Sequence, residues 1–149
     1  MNFKIFIIIS LVAFNVSYAC RVDQTQKVYK KEYKKILNKA NEYSLKGEIE
    51  KSLFYAKEAY KIKPSKEALL IMARIYNYKK EYENLKKTAL KILDISPGNY
   101  LGNIYLANAY MKCDPLKARE ILVSLLKKYP DDRTVLEKLK KVDKNGLNV

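Results

Sequence analysis

Few residues in this 149-residue chain could do covalent or acid–base chemistry. Histidine is absent, which removes the usual general base, the usual proton shuttle and the commonest zinc ligand. There is no glycine-rich phosphate loop and no nucleophile motif. Two cysteines remain, Cys20 and Cys113. A thiol can carry a lipid, form a disulfide or hold a metal, but no ligand cluster surrounds Cys113. Its expected role is that of a small, partly buried residue. On this inventory the chain is not expected to be an enzyme, and neither a cofactor nor a metal is implied.

Cys20 gains its interest from what precedes it. Residues 1–19 carry Lys4, an uncharged apolar run from Ile5 to Phe14, and small residues at Ser17 and Ala19. That layout is expected of a secretory signal peptide, and the run is short for a permanent membrane span. Ala19-Cys20 resembles the bacterial lipobox, in which the cysteine is lipidated and becomes the new N-terminus. The resemblance implies a lipoprotein anchored through Cys20 and facing the periplasm or the cell surface. Several acyl chains on one residue bury enough methylenes to hold a protein on a bilayer. Two positions depart from the family pattern: Ser17 stands where leucine is preferred, and Tyr18 is bulky. Ser17-Tyr18-Ala19 also satisfies ordinary signal peptidase, so a soluble periplasmic or secreted product is the alternative. In that case Cys20 and Cys113 could pair.

The elements that must position any binding residues are helices. Charged residues make up 31% and apolar residues 48%, with only four glycines and four prolines, a composition that favours helix over a turn-rich β fold. Pro64, Pro97 and Pro130 stand 33 residues apart, and each closes a stretch of helical periodicity. Tyr43, Tyr76 and Tyr110 keep nearly the same beat, each three residues after an alanine (Ala40, Ala73, Ala107). The expected division is a tether over 20–32, three units over 33–65, 66–98 and 99–131, and a capping helix with tail over 132–149. Val135, Leu136, Leu139 and Val142 are expected on the inward side of that last helix. Ser65 is expected to cap a helix, and the turn of the third unit is expected over Met111 to Pro115, one residue shorter than the others.

These units resemble the tetratricopeptide repeat (TPR), a helix–turn–helix of 34 residues. The first supplies Ile36, Ala40, Tyr43, Gly47, Ala56, Ala59 and Pro64; the second Leu69, Ala73, Tyr76, Tyr82, Ala89 and Pro97, with Lys80 where glycine is usual. The third supplies Leu106, Ala107, Tyr110, Ala118, Leu122 and Pro130. The resemblance implies an all-α, right-handed superhelix of about three TPR units plus a C-terminal capping helix.

It also implies a concave groove lined by the first helix of each unit. Carried over by position, the peptide-binding groove would hold Leu37, Asn41 and Ser44 from the first unit. The second gives Leu70, Arg74, Asn77 and Tyr78, and the third Ile104, Asn108 and Met111. Asn41, Arg74 and Asn108 occupy equivalent places and are expected to stack into a polar ladder, whose amides can bond both edges of a peptide backbone. A clamp for a chaperone's C-terminal carboxylate is not expected, since its basic places hold Leu37, Leu101 and Tyr105.

The functional expectation is a scaffold of the bacterial cell envelope that binds a partner protein or peptide. Lipoproteins of the BamD type are also helical-repeat proteins behind a lipidated cysteine, so a component of an outer-membrane assembly complex is an alternative. A second alternative is a basic domain for polyanions or a membrane surface, motivated by a net charge of +14. Nucleic acid is not the expected partner, because the lysines are spread along every helix. The oligomeric state stays open.

Overall fold

The computed structural model of the chain describes residues 25–146. The expected signal peptide, Cys20 and residues 147–149 lie outside them. Among the described residues there are helices and turns and no strand. Helix α1 covers residues 25–45. It is followed by α2 (Ile49–Ile62), α3 (Lys66–Lys79), α4 (Tyr82–Ile95), α5 (Tyr100–Cys113), α6 (Pro115–Lys128) and α7 (Arg133–Gly146). From α2 onward each helix packs on its successor, and α5 also packs on α3; α1 meets α2 where the Ser52 hydroxyl donates to the Ala40 carbonyl. The result is the stacked all-α superhelix expected of the repeats.

The breaks recur because their chemistry recurs. Helices α2, α4 and α6 each end two residues before a proline, at Ile62, Ile95 and Lys128. The residue between, Lys63, Ser96 or Tyr129, leaves the helical region, as a residue before proline must. Its N–H still bonds the carbonyl four residues back, on Ala59, Ile92 or Leu125. The next helix is then capped by a polar side chain. Ser65 accepts from the Ala68 N–H, Asn99 from Gly102, and Asp132 from Val135.

Two expected boundaries move. Residues 25–32, expected in a tether, are helical and continuous with the first repeat helix. Neither glycine nor proline interrupts 25–45, and lysine and glutamate support helix there. Helix α5 runs on to Cys113, so the third turn shrinks to Asp114, which terminates α5 and caps α6 at once. Pro115 makes this possible, because the first position of a helix needs no N–H.

The core follows the repeat. Ala40, Ala73 and Ala107 have no exposed surface, and neither do Ala56, Ala89 and Leu122 at the matching place on the second helices. The small side chains let backbones approach, and Gly102 marks the tightest point. A Cβ there would lie 2.9 Å from Ile92 Cγ2. One buried cluster joins α1 to α5 through Ala40, Leu69, Ile75, Leu85 and Ala109, and a second joins α5, α6 and α7. Helix α7 closes the stack with Val135 and Val142, while Leu136, expected inward, is 37% exposed. Each fully buried leucine is worth roughly 1.5–3 kcal/mol. A single unit could bury few of them alone.

Candidate functional site

The first helices of the units, α1, α3 and α5, lie side by side and present the expected groove residues. Their apolar members serve mostly as its floor. Ile104 is buried in the α5–α7 core, and Met111 packs half-buried against the same cluster. Leu37 and Leu70 pack half-buried against the first core. Ile104 is therefore corrected from a lining residue to a core residue. It packs with Ala107 against Ala118, Leu122 and Val135 of α6 and α7.

The polar members come together, but not as a ladder of equivalents. Arg74 Nη2 donates to Ser44 Oγ at 2.8 Å. Asn108 Nδ2 donates to Asn77 Oδ1 at 2.9 Å. Asn41 is exposed and bonds neither residue. The expected stack of Asn41, Arg74 and Asn108 is thus replaced by two cross-helix pairs, each set about one turn along. The reason is stagger: a residue meets the one 30 or 31 positions earlier, short of the repeat of 33. Asn108 Oδ1 is buried and has no hydrogen-bond partner, the one such side-chain atom found among the described residues. An orphaned acceptor of this kind makes the amide a costly group to keep for packing alone.

Tyr105, read from sequence only as an obstacle to a carboxylate clamp, belongs to the site. Burial pushes its phenol above the ordinary value, while the Arg74 cation works the other way. The signal was available: Tyr105 stands three residues before Asn108, on the same helix face. One turn beyond Asn41 and Arg74, Leu45 is 89% exposed and Tyr78 72% exposed. An apolar pair thus flanks a polar strip of Ser44, Arg74, Asn77 and Asn108.

Cys113 is a free, exposed thiol whose Sγ lies 3.7 Å from the Ala109 carbonyl. The partial burial expected from sequence gives way to exposure at the end of α5, one turn beyond buried Ala109. No described helix is long and apolar enough to cross a membrane.

No protein-family model matches the chain, and no curated protein matches it. Solved structures do. A tetratricopeptide repeat protein from Parabacteroides merdae aligns with a TM-score of 0.64 at 21% identity, over 72% of this chain and 43% of that one. This chain thus spans less than half the length of that protein's chain. The C-terminal TPR-containing domain of a Plasmodium falciparum protein described as FK506-binding aligns at 0.70 and 21% identity, over 76% of this chain and 87% of that one. The Arabidopsis OM64 TPR domain aligns at 0.71 and 15% identity, over 76% and 96%. At these identities the likeness is one of fold, and the fold of this chain is that of the tetratricopeptide repeats.

Proposed function

We propose that this protein is a non-enzymatic scaffold that holds an extended segment of a partner protein in the groove of α1, α3 and α5. The observation that carries the reading is the polar strip of Ser44, Arg74, Asn77 and Asn108, flanked by exposed Leu45 and Tyr78. Amides and a guanidinium can bond both edges of an extended backbone, and exposed leucine and tyrosine can take its side chains. Helical-repeat stacks offer such extended concave surfaces. The setting we propose is the bacterial cell envelope, on the strength of Lys4, the Ile5–Phe14 run and Ala19-Cys20. There the protein would be held on a membrane through lipidated Cys20.

The test is pull-down of the full chain from native membranes beside the variant Asn41→Ala plus Arg74→Ala. The scaffold reading expects a partner recovered by the parent and lost by the variant. Recovery of the same partners by both would remove the groove from the function. Intact mass of membrane-purified protein, beside Cys20→Ala, tests the anchor. A gain of several acyl chains confined to the parent supports it, and simple cleavage after Ala19 replaces it with a soluble exported protein.

A further inference from the structure

The end of the stack opposite α7 carries a surface that the groove does not use. The first two turns of α1, residues 25–32, are exposed throughout, with Val28 at 67% and Tyr29 at 62%. Behind them lies a cavity of about 770 Å³ between α1 and the end of α2. Lys27, Lys30 and Lys63 line it together with Tyr29, Tyr33 and Ile62, and no acidic residue does.

The density of lysine with little acid among it, rather than ion pairing, sets this end apart. On the other helices lysines and acids are interspersed, and some of them pair. Lys51 pairs with Glu48, Lys61 with Glu58, Lys79 with Glu50 and Glu81, Lys86 with Glu83, and Lys117 with Asp114. Residues 25–35 hold five lysines and one acid, Glu32. Of these lysines, Lys30, Lys31, Lys34 and Lys35 make no ion pair among the described residues. Lys63 sits 5.5 Å over the Tyr33 ring, held at the cavity edge.

We propose that this end of the stack is a docking surface for an anionic phospholipid bilayer. The lysines meet headgroup phosphates, and Val28 and Tyr29 enter the interfacial layer, where an aromatic ring with a polar tip is at home. Juxtamembrane lysines gain from the negative surface potential, and the gain is cumulative. Cys20 precedes Lys27 by seven positions, at most about 25 Å of chain, so a leader attached to a bilayer delivers this surface to it. The surface binds without that attachment, so this inference does not rest on lipidation or on the groove.

The experiment uses the full chain carrying Cys20→Ser, with vesicles of phosphatidylcholine alone or mixed with phosphatidylglycerol. Any contribution of the apolar leader is common to both vesicle types, and the difference between them reads the surface. We expect tighter binding to the anionic vesicles. Lys27→Gln, Lys30→Gln and Lys63→Gln together should lower that affinity on the order of a hundredfold. The same charge loss at Lys127, Lys128 and Lys140 should leave it within a few-fold. The exposed pair Lys30→Gln and Lys31→Gln leaves Tyr33 untouched and should lower it on the order of thirtyfold, which keeps the test open if the triple variant unfolds. Equal binding to both vesicle types would overturn the proposal. So would equal losses in the two triple variants. Full displacement by glycerol 3-phosphate at matched ionic strength would do the same, making a soluble phosphate ester the occupant.

Discussion

The Asn108 amide donates to Asn77 Oδ1 at 2.9 Å across α5 and α3, while its own Oδ1 is buried without a partner. The two asparagines are therefore unequal. Removing Asn77 leaves a second unpaired group on Asn108, whereas removing Asn108 takes the orphaned acceptor away with it. Asn77→Ala should cost about 1–2 kcal/mol and Asn108→Ala clearly less. Urea unfolding of both variants checks this, and a larger loss at Asn108 would contradict it.

Lys80 holds a position with φ 60° and ψ 28°, the left-handed region that glycine fills without strain. Its backbone N–H closes the end of α3 on the Asn77 and Tyr76 carbonyls, so the conformation is required by the turn. Gly47 does the same work in the first unit at φ +73°. Lys80→Gly should stabilise the fold by about 0.5–1 kcal/mol and Gly47→Ala should destabilise it by a similar amount. Thermal melting of the pair gives opposite shifts if backbone strain is the cause.

Tyr33 joins the first repeat helix to the cap of the second unit. Its hydroxyl donates to Ser65 Oγ at 2.8 Å in a buried site, and the same oxygen accepts from the Ala68 N–H. Tyr33→Phe should cost about 1 kcal/mol, the net worth of one hydrogen bond. Ser65→Ala loses the cap and strands the Tyr33 hydroxyl, so about 2 kcal/mol is expected. Chemical denaturation that ranks the two the other way round would refute the shared-oxygen account.

The Tyr100–Asp132 pair makes the last interface sensitive to pH at both extremes. Burial, and then the bond to Asp132, pushes the Tyr100 phenol from 10.0 up to about 12. The bond from Tyr100 lowers the Asp132 carboxyl below its ordinary 3.8. The Asp132 contribution is present above that ordinary value and is lost as pH falls below it. The Tyr100 contribution is complete below pH 10 and is lost as pH rises from there through about 12. Tyr100→Phe should flatten the alkaline limb of a stability-against-pH curve and reduce the acid loss. An unchanged curve would show the pair to be uncoupled from folding.

Gly102 tests how closely α4 and α5 are packed. A methyl there meets Ile92 Cγ2 at 2.9 Å and Leu93 Cδ2 at 3.0 Å. The better helix propensity of alanine offsets part of the clash, and Gly102→Ala should still cost about 1–2 kcal/mol. A stabilised variant would mean that the Ile92 and Leu93 side chains give way freely.

The sequence by itself determined what is local to one repeat. Pro64, Pro97 and Pro130 mark where helices stop, and Ala40, Ala73 and Ala107 mark where helices touch. These are legible because proline stereochemistry and a 3.6-residue period act within a few residues of chain. What the tertiary structure alone decided is relative placement across helices. Equivalent residues were expected to stack, yet Arg74 found Ser44 and Asn108 found Asn77. Ile104 turned into the core, and Lys27 and Lys30 of α1 came to line one cavity with Lys63 from the end of α2. The axial stagger of one helix on the next arises from the close-packed fit of alanines, glycine and large side chains over the whole stack. No short stretch of sequence carries that sum.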